Sequence, residues 1–140
     1  MKFSIITAVY NGASTIGTTL ASVAMQERIS TARNHLEVEH LIVDAASTDG
    51  TAEQARSWPA PIRVISEPDR GIFDGMNKGI AWADGDVVGI LNADDFYFSP
   101  LTLGLVADAL ASKKVDSCYG NVVYVDAEQP HRVLRVWRSR

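Results

Sequence analysis

The residues best equipped for chemistry are Asn92-Ala93-Asp94-Asp95, where two adjacent carboxylates directly follow the apolar run of residues 87–91. Adjacent negative charges repel, and a cation resolves that repulsion. Carboxylate oxygens are hard ligands suited to Mg2+ or Mn2+, and a metal held by one or two protein oxygens completes its shell with water and phosphate oxygens. The pair therefore points to a diphosphate ligand. Successive side chains on an extended segment face opposite ways, so the work divides: Asp95 is expected to meet the metal and Asp94 a ribose hydroxyl. For this motif alone, an ordinary acidic turn remains the competing reading.

Three further stretches carry comparable groups. Asp44 ends the run 41–43, where a carboxylate is placed to accept an N–H of a base or to serve a turn. Ser47, Thr48, Asp49, Gly50 and Thr51 contain more than one helix cap, and capping is the expected purpose. In residues 67–79, Arg70 and Lys78 are cations able to approach phosphate or base, and Gly71 permits close backbone approach, against the alternative of a solvated loop.

These groups need a frame that brings them together. Residues 3–9, 41–43, 62–65 and 87–91 are short apolar runs with little alternation, as expected of strands covered on both faces. Between them lie helical spacings: Ile16, Leu20 and Val23 after Ser14, then Met76, Ile80 and Ala83. Ser99 as cap, Pro100 and the face Leu103, Val106 and Leu110 predict a fourth helix. Residues 117–125 read as a fifth strand that buries Cys118, and 133–137 as a sixth. Alternating strands and helices predict an α/β fold: an open, mostly parallel sheet with helices on both faces, residues 1–140 forming a single domain. Ligands of such sheets bind beyond the carboxyl ends of the strands, which is where Tyr10, Asn11, Asp44, Asp94 and Asp95 fall.

Composition narrows the function. The chain has 140 residues, 46% hydrophobic and 21% charged, enough for one core and unlike a disordered chain. A net charge of -4 argues against nucleic acid, whose backbone needs a concentrated basic face. The lone Cys118 excludes an internal disulfide, and no stretch approaches a membrane span or a signal peptide, so a cytoplasmic location, with peripheral association at the inner membrane face left open, is expected. His35, His40 and His131 match no metal spacing and are read as structural or exposed. Neither a dinucleotide fingerprint, a P-loop nor a nucleophile elbow occurs.

Four blocks share a resemblance. Residues 4–11 (SIITAVYN), 41–51 (LIVDAASTDGT), 66–79 (SEPDRGIFDGMNKG) and 91–95 (LNADD) resemble, in order and spacing, family-2 glycosyltransferases of the GT-A fold. The third block is similar to the exopolysaccharide and colanic-acid branch. The resemblance covers residues 2–125 and implies a nucleoside-diphosphate sugar such as a UDP-sugar, a divalent metal (Mg2+ or Mn2+), and transfer with inversion to a glycan or lipid-linked acceptor. It implies that Ala8 and Tyr10 lie beside the base, Asp44 takes the base N–H and Arg70 a base or phosphate group. Asp74 and Asn77 would line the same pocket, and Asp94 and Asp95 match the metal-binding acidic element.

Two departures accompany it. Many relatives carry an acidic residue or glycine at the places of Ala45 and Ala46, which bears on base selectivity. Relatives also continue into an acceptor-binding portion that supplies the catalytic base, so the chain reads as truncated after the donor-binding half, with no catalytic residue identified. The alternative is a nucleotide-sugar-binding module without catalysis. The basic stretch 132–140 is compatible with a cut strand, a tail or an assembly contact such as a homo-oligomer.

Overall fold

The computed structural model describes residues 1–28, 36–113 and 115–139; His35 and Arg140 lie outside them. The elements run β1 (Lys2–Val9), α1 (Ile16–Arg28), β2 (Glu37–Asp44), α2 (Thr51–Arg56), β3 (Ile62–Ser66), α3 (Ile72–Trp82), β4 (Val87–Ile90), α4 (Thr102–Lys113), β5 (Val122–Val125) and β6 (Val133–Trp137). They divide into two compact units, Met1–Gly104 and Leu105–Arg140.

In the first unit four strands form a parallel sheet in the order β3-β2-β1-β4. Phe3 through Val9 are all buried, because β1 lies between neighbours and under helices on both sides. On one face Val9 and Ile42 pack with Ile16 and Leu20 of α1 and Ala55 of α2. On the other, α3 lies so close to β1 that a Cβ on Gly79 would overlap Ile6, and one on Gly75 would stand 3.1 Å from Ala8 Cβ. The open parallel sheet with helices on both faces is as expected.

β2 starts four residues before the apolar run 41–43. Its first turns of sequence alternate charge with burial: Val38 and His40 face in, while Glu39 accepts the Ser4 hydroxyl and pairs with Arg63 at 3.1 Å. His40 is buried, its Nε2 2.9 Å from Thr7 Oγ1 and its Nδ1 without a partner among the described residues. Burial pulls its pKa down to about 3.

The second unit corrects the reading of residues 117–125. Only Val122–Val125 is a strand, paired antiparallel with β6 and not with the parallel sheet. Cys118 is exposed and lies outside any strand. Gly120 and Asn121 disfavour extended pairing, and the strand begins after them. His131 is exposed, as expected. No helix among the described residues is long and apolar enough to cross a membrane.

Candidate functional site

The sheet order sets the carboxyl-end loops in a row: β3, β2, β1, then β4. Adjacent strands are about 4.8 Å apart, so the row spans about 14 Å. Of the eight predicted site residues, Tyr10, Asp44, Arg70, Asp94 and Asp95 end a strand or lie on the loop after one, Ala8 lies within β1, and Asp74 and Asn77 lie on α3.

Asp44 closes β2 and is wholly buried. Its Oδ2 accepts the Ser47 N–H at 3.0 Å and the Ser66 hydroxyl at 2.6 Å, while Oδ1 has no partner among the described residues. A buried polar atom left open costs about 1–3 kcal/mol, so an unfilled carboxylate lone pair at a strand end is a feature the fold alone does not explain. Ser66 opens the block 66–79 but is not among the predicted site residues; only the parallel register sets it beside Asp44.

The loops after β1 and β2 are stitched together. Asn11 N–H donates to Ser47 Oγ (2.8 Å), Thr48 N–H to Asn11 Oδ1 (2.9 Å), Gly12 N–H to Thr51 Oγ1 (3.0 Å) and Ala13 N–H to Asp49 Oδ2 (3.0 Å). Capping was the expected purpose of Ser47 through Thr51, but α2 has Gly50 at its N-cap with no side-chain cap. The side chains of Ser47, Asp49 and Thr51 hold the neighbouring loop, and Asp49 Oδ1 also accepts the N–H of Thr51 at the start of α2 (3.1 Å). The Thr51 hydroxyl and then the Ala13 N–H lower the Asp49 pKa. Asn11 and Ala46 have positive φ, 50° and 57°. Ala46 thus occupies a left-handed conformation that costs a Cβ-bearing residue and that glycine adopts freely. Tyr10 stands on this loop, 65% exposed, whereas Ala8 is buried against α3.

The loop after β3 is braced by its own charges. Asp69 Oδ1 accepts the Gly71 N–H (2.9 Å) and Asp74 Oδ2 the Arg70 N–H (3.1 Å). Lys78 donates to Glu67 at 2.8 Å and to the Pro68 carbonyl at 3.0 Å. The Arg70 N–H is the main cause of a lowered Asp74 pKa, and the Glu67 partner raises that of Lys78. Asp74 and Lys78 therefore shape the loop, while the Arg70 side chain is 91% exposed and ion-paired with Asp74 at 3.6 Å. Asn77 is exposed on α3.

After β4 the chain turns at Asn92–Asp95, with the Asp95 N–H bonded to the Asn92 carbonyl (3.1 Å) and Asn92 Nδ2 to Asp95 Oδ2 (3.2 Å). Asp94 and Asp95 are exposed. Beneath them, the buried Thr19 hydroxyl lies 3.0 Å from the Ala93 carbonyl and 2.7 Å from that of Asp95. The sequence reading missed Thr19, Ser22 and Gln26, whose signal is a polar i, i+3, i+7 row beside the apolar row of α1. Among the described residues, no three His, Cys, Asp or Glu groups gather as a ready-made metal centre. The donor set fits a cation that takes one or two oxygens here and the rest from ligand and water. An apolar cavity of about 380 Å³, lined by Leu20, Val38, His40, Trp58 and Ile62 among others, lies toward the strand starts and is no part of this rim.

The sequence profile of Glycosyl transferase family 2 matches residues 4–139. The chain belongs to this family. An uncharacterised glycosyltransferase of Mycobacterium tuberculosis (strain CDC 1551 / Oshkosh) is 32% identical over 111 residues, 79% of this chain and 40% of the relative. A PGL/p-HBAD biosynthesis glycosyltransferase of Mycobacterium bovis (strain BCG / Pasteur 1173P2) is 32% identical over 86% of this chain and 46% of its own. The chain thus spans less than half of these curated relatives. Among solved structures, S. aureus TarS in complex with UDP-GlcNAc superposes with a TM-score of 0.69 at 29% identity, covering 83% of this chain and 33% of that one. The mannosyltransferase PcManGT from Pyrobaculum calidifontis, in complex with GDP-Man and Mn2+, gives 0.66 at 30% identity, covering 89% and 35%. These GT-A neighbours share the parallel sheet and flanking helices.

Proposed function

We propose that residues 1–140 form the nucleotide-sugar-binding portion of a metal-dependent, inverting glycosyltransferase, with a UDP-sugar as donor and a glycan or lipid-linked acceptor of the exopolysaccharide type. The observation that carries it is the unpartnered Asp44 Oδ1 at the sheet rim, the acceptor a base N–H would fill. Reaching it requires the loops above to shift. From β2 to β4 is two strand spacings, about 10 Å, which suits a ribose and diphosphate running from Asp44 toward the acidic turn. Tyr10 then flanks the base beside Ala8, Arg70 swings onto base or phosphate, Asp74 and Asn77 line the pocket from α3, Asp94 meets the ribose and Asp95 the cation. Mg2+ or Mn2+ supplies charge neutralisation for the departing diphosphate. The neighbours bound to UDP-GlcNAc and to GDP-Man with Mn2+ support the ligand class.

A second reading, a binding module without turnover, is favoured by the commitments of the rim carboxylates. One oxygen of Asp44 and the carboxylates of Asp49 and Asp74 already accept the protein's own N–H and hydroxyl groups, so these three rim carboxylates are engaged in holding the loops. Calorimetry with Mn2+ and UDP-, GDP- and dTDP-sugars tests both readings. Heat for one nucleotide class is expected, and no heat for any overturns them. Sugar transfer to a glycan acceptor panel then supports the enzyme, and binding without transfer supports the module.

A further inference from the structure

The acidic turn is not held by its strand alone. β4 has four residues and, among the described strands, pairs only with β1. What fixes the segment beyond it is a polar face of α1. Thr19 Oγ1 faces the carbonyls of Ala93 and Asp95, Ser22 Oγ accepts the Tyr97 N–H (3.1 Å), and Gln26 spans the Ser99 carbonyl (2.9 Å) and the Leu103 N–H (3.0 Å). The three side chains are buried and spaced i, i+3, i+7 on a helix that rises about 1.5 Å per residue, so they grip the segment at intervals along about 10 Å.

We propose that Thr19 is a positioning residue for the metal-binding pair, with Ser22 and Gln26 extending its hold: α1 acts as a ruler that fixes the main chain from Ala93 to Leu103 and thereby the direction of the Asp94 and Asp95 carboxylates. The proposal rests on the reading of Asp95 as metal ligand. The Ala93 and Asp95 carbonyls share one hydroxyl, which holds the 93–94 and 95–96 peptides that bracket the aspartate pair, and both aspartates lie exposed on the far side of that anchor. A site that contributes so few ligands depends on their orientation being set before the cation arrives.

Thr19→Val keeps the shape and removes the hydroxyl, and Thr19→Ser keeps the hydroxyl. Mn2+ is titrated into each protein with saturating UDP while free Mn2+ is read by electron paramagnetic resonance, and UDP alone is titrated in chelator by calorimetry. The expected result is an apparent Mn2+ Kd raised about 10–100-fold in Thr19→Val, restored in Thr19→Ser, with metal-free UDP affinity unchanged. Equal Mn2+ affinity in wild type and Thr19→Val overturns the proposal, as does an equal loss for UDP with and without metal, which marks a merely structural role. A wild-type protein that binds UDP but takes up no Mn2+ overturns the metal reading and the proposal with it, a result distinct from either. Should Thr19→Val not fold, Ser22→Ala carries the same comparison: a smaller loss of Mn2+ affinity supports the ruler, and none overturns it.

Discussion

Acidification from pH 7 to pH 5 should weaken the parallel-sheet unit through His40. The imidazole is buried with its Nδ1 unpaired, and burial holds its pKa near 3 against 6.5 for a free histidine. A depressed folded value means that the unfolded chain alone takes up the proton once pH falls below about 6.5. The stabilisation is complete above that pH and is lost progressively down to about pH 3. Linkage gives a loss of about 2 kcal/mol at pH 5 and about 4 kcal/mol by pH 3. Asp49, Asp74 and Asp84 have lowered pKa values, starting from 3.8, so their contributions fade only at lower pH. The window from pH 7 to pH 5 therefore isolates the histidine. The perturbation is the pair His40→Leu with Thr7→Val, which removes the titrating group and its hydroxyl partner together. Urea unfolding followed by Trp58 and Trp82 fluorescence at half-unit pH steps gives the comparison. Wild type should lose about 2 kcal/mol between pH 7 and pH 5 and the double variant far less. Parallel losses in the two proteins would refute the assignment of acid sensitivity to this residue.

Other outcomes follow from the packing and the rim. Gly79→Ala places a Cβ into Ile6 and should cost about 1–3 kcal/mol, whereas Gly104→Ala, with nothing within 4 Å of the new methyl, should stabilise by about 0.5–1 kcal/mol; chemical denaturation measures both. Asp95→Asn should weaken Mn2+-dependent nucleotide binding at least about tenfold with an unchanged melting temperature, since the side chain is exposed; unaltered affinity in calorimetry would move the metal elsewhere. Lys78→Ala releases Glu67 and the Pro68 carbonyl and should speed amide exchange in residues 67–71, with little change in the denaturation midpoint, because exposed ion pairs add little to global stability.

The repeating alternation of elements was legible because each parallel strand here is a short apolar run and each crossover a helix with an apolar row. The carboxyl-rim residues were legible for the same reason, being the first polar groups after each run. Less visible were contacts whose meaning depends on a distant partner. Glu37 and Glu39 disguised the start of β2, since their charges find Lys2, Arg63 and Ser4 only once the sheet forms. Ser47 through Thr51 suited a local cap in composition, yet three of their side chains bind the loop after β1, some 36–39 residues away in sequence. The row Thr19, Ser22 and Gln26 resembles an ordinary polar helix face until residues 93–103 lie against it. Cys118 was misread because the run 117–125 reads as one strand, although Gly120 and Asn121 interrupt it and pairing with β6 starts only at Val122.

Asp44 works against the unliganded protein: it sits in a desolvated place with one lone pair idle, and an uncharged residue able to satisfy Ser47 and Ser66 would make a sturdier fold. A variant library sorted for protease resistance without ligand should therefore enrich Asn or Ser at this position, while the same library sorted for retention on immobilised nucleotide should keep Asp. On the proposed reading, improving this scaffold by robustness alone would select away from nucleotide recognition at Asp44.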